Sequence, residues 1–572
     1  MAIKDLIIVL ITTEEITRFS TQADIYILNN DHIKLEELVT KITEKEYEFE
    51  HRFHEAQYAY TAANCYSILY AARRVAWYSD DLMKAIILYR KALYCLPKPN
   101  WMDKPDIIQS YSQLRSMILT NLANSLSSQG RTLCCIPFYD EAIALNQKAE
   151  AIISKARNQL FLGGSLFDNG HREYHYFIAN NLIKAAQEKI DTLYPEQKIE
   201  LEENGSLYEF NNWFEETFEP SSFDYFSEKY SHSKNRKENL YSQWCAKNKL
   251  FINDLNDVCD FEICYQDILS LPSITRTINT TLALHEELAY HGNFDELKND
   301  YCYARYIYFS ATSIPADAPH MFNSTYNHVD DMSHSISNLK TSHYKSSFRT
   351  LYSLFDKIAY IASRFFDLND IKDDRSISID NLFRNIKSKN RNTKWEPNEK
   401  LENSDNHFIH ALFYILKDIR DVTGTSSVSK WIDPDAKAFS DIRNAMEHRS
   451  LKIVDDFGYE LTYSHTSYHD NKLKEIKMQM VEITQKIDLA SEPLEILNLK
   501  SRLLELKSII YEKEKLSSHS LLIPITQFES RLMTLIKLAR NSIMYLSLAI
   551  HFEERKIPND KICVPLEVPL KN

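Results

Sequence analysis

Glycine is the feature that most restricts this chain: 572 residues contain only 8 of them. Glycine is the default residue wherever backbone must turn sharply or approach a ligand closely. A chain this poor in it is expected to be built of helices rather than hairpin-rich sheets. Gly163-Gly164 is the only adjacent pair, and neither GxxxxGK nor GxGxxG occurs. A P-loop nucleotidase or a Rossmann enzyme is therefore not expected. With 44% hydrophobic and 12% aromatic residues, the chain has ample material for packed cores, and its length implies three or four structural units.

A net charge of −13 rules out non-specific binding of nucleic acid over the whole surface. Any such contact has to be a local basic patch. The nine cysteines (65, 95, 134, 135, 245, 259, 264, 302, 563) form no CxxC and have no histidine pair at zinc spacing. They read as reduced, mostly buried thiols, so the expected location is the cytoplasm. The apolar run Leu6 to Ile11 is short and lacks the basic flank of a signal peptide, and no segment approaches a bilayer span. No metal, cofactor or membrane partner is expected.

Residues 1–192 read as helical repeats. DDLMKAIILYRKALYCLP places Ala85, Tyr89, Ala92 and Pro97 at spacings of 4, 3 and 5. NLANSLSSQGRTLCCIPFYDEAIAL repeats the theme with Ala123, Gly130, Tyr139 and Ala142, with Cys134-Cys135 where a small residue is wanted. Small and aromatic residues alternating in this phase resemble the second helix of a tetratricopeptide repeat, a fold that offers a groove to a protein or peptide. Residues 193–335 are a less regular helical connection. Within them Asn253, Asp254, Asn256 and Asp257 lack the glycine and closing glutamate of a calcium loop and read as turn and capping residues. SIPADAPHMFNSTYNHVDD (313–331) reads as a linker.

Residues 336–572 contain four long helical segments. On the first, Phe348, Leu351, Phe355, Ile358 and Ala362 share one face. HFIHALFYILKDIRDV is the second, KAFSDIRNAMEHRSLKIV the third, and ITQFESRLMTLIKLARNSIMYLSLAIHFEERK the last. Between the third and the last, Leu473, Ile476, Met480, Ile483 and Ile487, then Leu499, Leu503, Leu506 and Ile510, alternate by threes and fours. Broken at Ser491-Glu492-Pro493, they predict an inserted antiparallel helical hairpin over 472–515. Taken together, the chain is expected to be all-α.

The chemistry concentrates on RNAMEHR, 443–449. Ile442, Ala445 and Met446 fall on one side of a helix, and Arg443, Asn444, Glu447 and His448 spread over the other. An arginine followed by Asn, Asp or His, three to five further residues and a histidine, on the third helix of a four-helix bundle, is the signature of the HEPN superfamily. The chain resembles the HEPN family that joins degenerate tetratricopeptide-like repeats to a C-terminal HEPN domain. The resemblance rests on IRNAMEHRSLK, SSFRTLYSLFDKIAYI, LARNSIMYLSLAI, WCAKNKLFINDLND, DILSLPSIT and NLANSLSSQG, and covers most of residues 110 to 560.

What the resemblance implies is a metal-independent endoribonuclease. Arg443 and His448 would be its catalytic pair, with Asn444 helping to orient them. Cleavage by the RNA's own 2′-hydroxyl needs one proton removed and one delivered, which histidine can do near neutral pH. A guanidinium stabilises the charge of the phosphorane. Glu447 is placed to pair with Arg443 one turn away and support it. Arg449 and Lys452, another turn on, could touch the RNA backbone. On a helix Arg443 and His448 lie about 140° apart, which calls for two motif helices facing each other in a homodimer, with higher assembly left open. The implied partners are RNA, such as tRNA or mRNA, and an unidentified ligand of the repeats, in a toxin or antiviral effector. The rival reading is a non-catalytic dimeric scaffold in which RNAMEH is structural.

Overall fold

A computed structural model describes residues 9–43, 47–73, 76–96, 104–146, 148–227, 235–274, 288–327, 332–368, 377–385, 396–420, 434–489, 492–517 and 520–557. Pro97, His285, Ser491, Cys563 and the start of the Leu6 to Ile11 run lie outside the described residues.

The chain is all-α with a few short strands. After β1 (Val9–Ile11) come α1 (Thr13–Leu28) and α2 (His32–Thr43), then β2 (Tyr47–Phe49). Three helix pairs follow: α3 (Arg52–Arg73) with α4 (Asp80–Cys95), α5 (Pro105–Ser128) with α6 (Thr132–Asn146), and α7 (Ala149–Ser165) with α8 (Asn169–Gln187). Shorter elements carry the chain to α9 (Arg236–Lys247), α10 (Ala289–Thr312), α11 (Leu339–Phe365) and α12 (His407–Ile419). Then come α13 (Pro434–His448), β3 (Ser450–Val454), α14 (Asp456–Leu489), α15 (Pro493–Ser517), β4 (Ser520–Pro524) and α16 (Ile525–Glu554).

Two compact units emerge, neither continuous in sequence. One comprises Met1–Asn299, Leu354–Asp433 and Lys537–Asn572; the other comprises Asp300–Ser353 and Pro434–Ile536. Helices α10, α11 and α16 contribute residues to both. These units therefore cut across the contiguous stretches 1–192, 193–335 and 336–572 into which the sequence divides by pattern.

In the first unit the helix pairs pack through the small and aromatic positions read from the sequence: Ala85, Tyr89, Ala92, Ala123, Tyr139 and Ala142 are all buried. Gly130 closes α5 with φ +76°, and a Cβ there would sit 2.0 Å from the His407 carbonyl oxygen. Only glycine satisfies both the left-handed turn and that approach. Helix α12 is buried along almost its whole length. Asn406 caps it by accepting from the amides of Phe408 and Ile409. Near its other end Asp418 takes Arg131 at 2.7 Å and Arg90 at 3.0 Å. Tyr545 of α16 accepts hydrogen bonds from the Leu133 and Cys134 amides at 2.8 and 3.2 Å, supplying partners to the first turn of α6.

The Asn253–Asp257 stretch does more than turn the chain. Asn253 and Asn256 do accept local amides, from Leu255 and Phe251. The two aspartates instead form buried ion pairs. Asp257 holds Arg540 through two contacts of 3.1 and 2.7 Å. Asp254 meets His171 Nδ1 at 2.9 Å and His175 Nε2 at 3.0 Å.

In the second unit the expected apolar face of α11 is buried at Phe348 and Leu351. Phe348 packs against Phe439 and Phe528, with ring centroids 6.3 and 5.9 Å apart. Tyr344 donates to Glu529 at 2.5 Å. The third helical segment is shorter than KAFSDIRNAMEHRSLKIV suggested: it ends at His448, and Ser450–Val454 is strand β3. β3 pairs in parallel with β4, Ser450 opposite Ser520 through Val454 opposite Pro524. Parallel strands need a long crossover, and the α14–α15 hairpin supplies it. The inserted hairpin is thus longer than 472–515 at its start, and Pro493 opens its second helix.

Candidate functional site

Helix α13 presents the motif at its C-terminal end. Ile442 and Ala445 are buried and Met446 half-buried, which fixes the face turned to the core. Arg443 and Asn444 emerge half-buried beside that face; Glu447, His448 and Arg449 are exposed. The Arg443 guanidinium donates to Asn444 Oδ1 at 3.2 Å. Arg443 has no carboxylate partner among the described residues, and His448 makes no side-chain hydrogen bond or ion pair there.

The expected pairing of Glu447 with Arg443 is not formed. Glu447 faces away to α11, where Arg349 Nε reaches its carboxylate at 3.0 Å. The second arm of the same guanidinium, Nη2, donates to the Met446 carbonyl at 3.0 Å. That carbonyl belongs to the last turn of a helix, where acceptors lack intrahelical partners and a cation is favoured. A geometry that satisfies two acceptors at once prevails over an i,i+4 pair on an exposed face.

Lys345, one turn before Arg349, completes the grip by donating to the Leu451 carbonyl on β3 at 2.8 Å. Burial and the neighbouring Arg349 push the Lys345 ammonium below its usual pKa. The two cations of α11 therefore hold the chain on both sides of His448, at Met446–Glu447 and at Leu451. Neither stood out in the sequence. Lys345 and Arg349 are visible there as an i,i+4 pair beside the apolar face of α11, but nothing local says which element they meet.

Lys452 is displaced from its expected place, because the helix ends at His448. It lies half-buried on β3 rather than a turn further along a helix, and exposed Arg449 sits at the junction. Lys345 and Arg349 thus contact the chain on either side of His448, and Arg443, Arg449 and Lys452 lie close to it in sequence; Glu447 is held by Arg349. Arg443 and His448 themselves are not in hydrogen-bond contact.

Three other histidines, His410, His171 and His175, are engaged structurally. His410 is buried, stacks on Trp77 with centroids 4.4 Å apart and meets the Ser404 carbonyl at 3.0 Å, and burial pushes its pKa down to about 4. His171 and His175 share Asp254. Burial opposes a charge on His171, but the hydrogen bond and charge of Asp254 outweigh it and raise its pKa. Among the described residues, no helix is long and apolar enough to cross a membrane.

Residues 281–487 match the family model described as LA2681-like HEPN. The match contains Lys345, Arg349, the whole of α13 and β3, begins ahead of the 336 boundary expected from sequence, and stops before α16. No curated protein and no solved structure matches the chain. Residues 281–487, which carry the arginine–histidine motif on α13, are thus similar to an LA2681-like HEPN domain, and this places the domain in the HEPN superfamily.

Proposed function

We propose that the protein is a metal-independent endoribonuclease in which Arg443 and His448 act on an RNA phosphodiester. HEPN domains are commonly ribonucleases, often bind RNA and dimerise, which ties this chain to RNA-related function in general terms. The observation that carries the finer reading is the state of Arg443. It donates to Asn444, while the carboxylate one turn along its helix, Glu447, is occupied by Arg349. Its charge is thus left for an anion, beside a histidine with no partner among the described residues.

In the proposed reaction the substrate's 2′-oxygen attacks the adjacent phosphorus and the bond from phosphorus to the 5′-oxygen breaks. His448 takes the proton from the 2′-hydroxyl or delivers one to the departing 5′-oxygen. Arg443 contacts the non-bridging oxygens as their charge grows. The products are a 2′,3′-cyclic phosphate and a 5′-hydroxyl. Since Arg443 and His448 do not touch, the working cleft is assigned to two α13 helices in a homodimer, each copy supplying part of it. Arg449 and Lys452 are assigned to the RNA backbone, Glu447 to a supporting role through Arg349. Uncontrolled cleavage would destroy a cell's own RNA, so the repeats of residues 1–192 are assigned a tetratricopeptide-like control role, and the whole a toxin or antiviral function.

The test is cleavage of total tRNA and of a long single-stranded RNA in EDTA, comparing wild type with Arg443→Ala and His448→Ala and analysing the end groups. Cleavage by wild type alone, leaving cyclic phosphates, supports the assignment. Identical behaviour of three folded dimers, in vitro and on overexpression in cells, would instead make this HEPN domain a scaffold.

A further inference from the structure

We propose that helix α15 carries a second seam through which two copies of this chain associate in parallel. The helix already uses one side within its hairpin. Ile496, Leu499, Leu503, Leu506 and Ile510 alternate by threes and fours and are half-buried or buried. On α14, Leu473, Ile476, Met480, Ile483 and Ile487 show the same spacing and the same partial burial, and the two helices pack together. That accounts for the inner stripe. A second apolar stripe runs along the roughly opposite side, and none of the described residues covers it.

Leu494, Leu497, Leu504 and Tyr511 form this outer stripe, with exposures of 74, 66, 68 and 66%. Leu497, Leu504 and Tyr511 recur every seven residues, and Leu494, Ser501 and Ser508 fill the alternate positions of the same seam. A sevenfold repeat of apolar residues is the pattern by which one helix packs along another. Scattered exposed leucines would not keep that register.

The borders of the stripe say what the other helix is. Lys500 and Lys507 precede the two serines on one edge; Glu505 and Glu512 follow Leu504 and Tyr511 on the other. In a parallel pair, each residue on the first edge meets the residue five positions later on the second edge of its neighbour. Two copies of α15 then place Lys500 opposite Glu505 and Lys507 opposite Glu512, in both directions across the seam. An antiparallel pair would set lysine against lysine and glutamate against glutamate. Glu505 is already contacted by Arg502 on its own helix at 2.8 Å, but both side chains are more than half exposed, so that pair offers little competition. The pattern is self-complementary, which points to a second copy of this chain. The two serines make the seam weak. It is suited to joining chains already brought close rather than to holding them alone.

The experiment uses the full chain with Leu504→Cys under mild oxidation, wild type serving as background for the native cysteines. A covalent dimer should form at Leu504→Cys and not at Met478→Cys, an exposed site on the other helix of the hairpin at 67% exposure. Adding Lys500→Glu and Lys507→Glu should lower the yield several-fold. Adding Glu505→Lys and Glu512→Lys to those should restore it, because reversal of both borders recovers the complementarity. All these positions are exposed, and circular dichroism checks that every variant is helical. No dimer above background at Leu504→Cys, equal cross-linking at Met478→Cys, or charge reversal without effect would each overturn the proposal. None of these readouts depends on RNA cleavage or on the α13 helices.

Discussion

Arg349 and Glu447, 98 positions apart in sequence, are joined at 3.0 Å, and the same guanidinium caps the Met446 carbonyl at 3.0 Å. Both side chains are about half exposed, at 52 and 41%, so the pair itself contributes little stability, about 0–1 kcal/mol. Its consequence is positional, since it fixes the turn that presents His448. Arg349→Ala is expected to leave the melting temperature within a few degrees of wild type while reducing cleavage on the order of tenfold, through kcat more than KM. Lysine cannot reach both acceptors in this geometry, so Arg349→Lys should recover only part of the loss. Steady-state kinetics beside a thermal melt check this, and a melt that falls as far as the activity would reduce Arg349 to a structural residue.

Cleavage should depend on the two motif residues in different ways. In the proposed reaction His448→Ala removes the proton-transfer group and is expected to lower the rate by about 10²–10⁴-fold. Arg443→Lys keeps the charge but loses the planar fork, so it should retain some activity where Arg443→Ala retains none measurable. Neither change removes a buried contact between elements, and dimers of both variants should persist in sedimentation. Single-turnover cleavage of a labelled oligonucleotide separates the two effects.

Stability should follow pH through Asp254. Burial alone would raise its pKa, but hydrogen bonds and charge from His171 and His175 hold its carboxyl well below the usual range. The raised His171 pKa contributes stability that is full below about 6.5, the unfolded value, and is lost as pH climbs through the higher folded value. The lowered Asp254 pKa contributes stability present above about 3.9 and lost as pH falls through its folded value. The cluster therefore stabilises most between about pH 4 and 6.5 and weakens on the alkaline side. Urea unfolding midpoints from pH 5 to 9 should show that decline, and Asp254→Asn should flatten it.

Removing one half of a buried ion pair is costly, because the survivor keeps its desolvation and loses its partner. Asp257→Asn, which leaves Arg540 at 1% exposure without its carboxylate, is expected to destabilise by about 3–5 kcal/mol. Replacing both, as Asp257→Leu with Arg540→Met, should cost clearly less than the single change. A denaturant series on the three proteins decides it, and a double variant as unstable as the single one would show that the Phe251 and Asn253 carbonyls held by Arg540 matter more.

The sequence by itself determined the helical class, the core face of α11, the paired stripes of the hairpin, and the concentration of Arg443, Asn444 and His448 at one place. These are local properties. Scarcity of glycine and repeats of three and four residues act within one helix and need no partner to be recognised. Tertiary structure alone decided the rest. Ser450–Val454 becomes a strand because Ser520–Pro524 returns parallel to it after a crossover of more than 60 residues, and without that partner its alternation is too short to distinguish from a helix end. Glu447 meets Arg349 rather than Arg443, and Asp254 meets two histidines rather than its own turn, because a charged side chain carries no address. Which opposite charge it finds depends on elements brought beside it by apolar packing, and on the buried acceptors those elements leave to be satisfied.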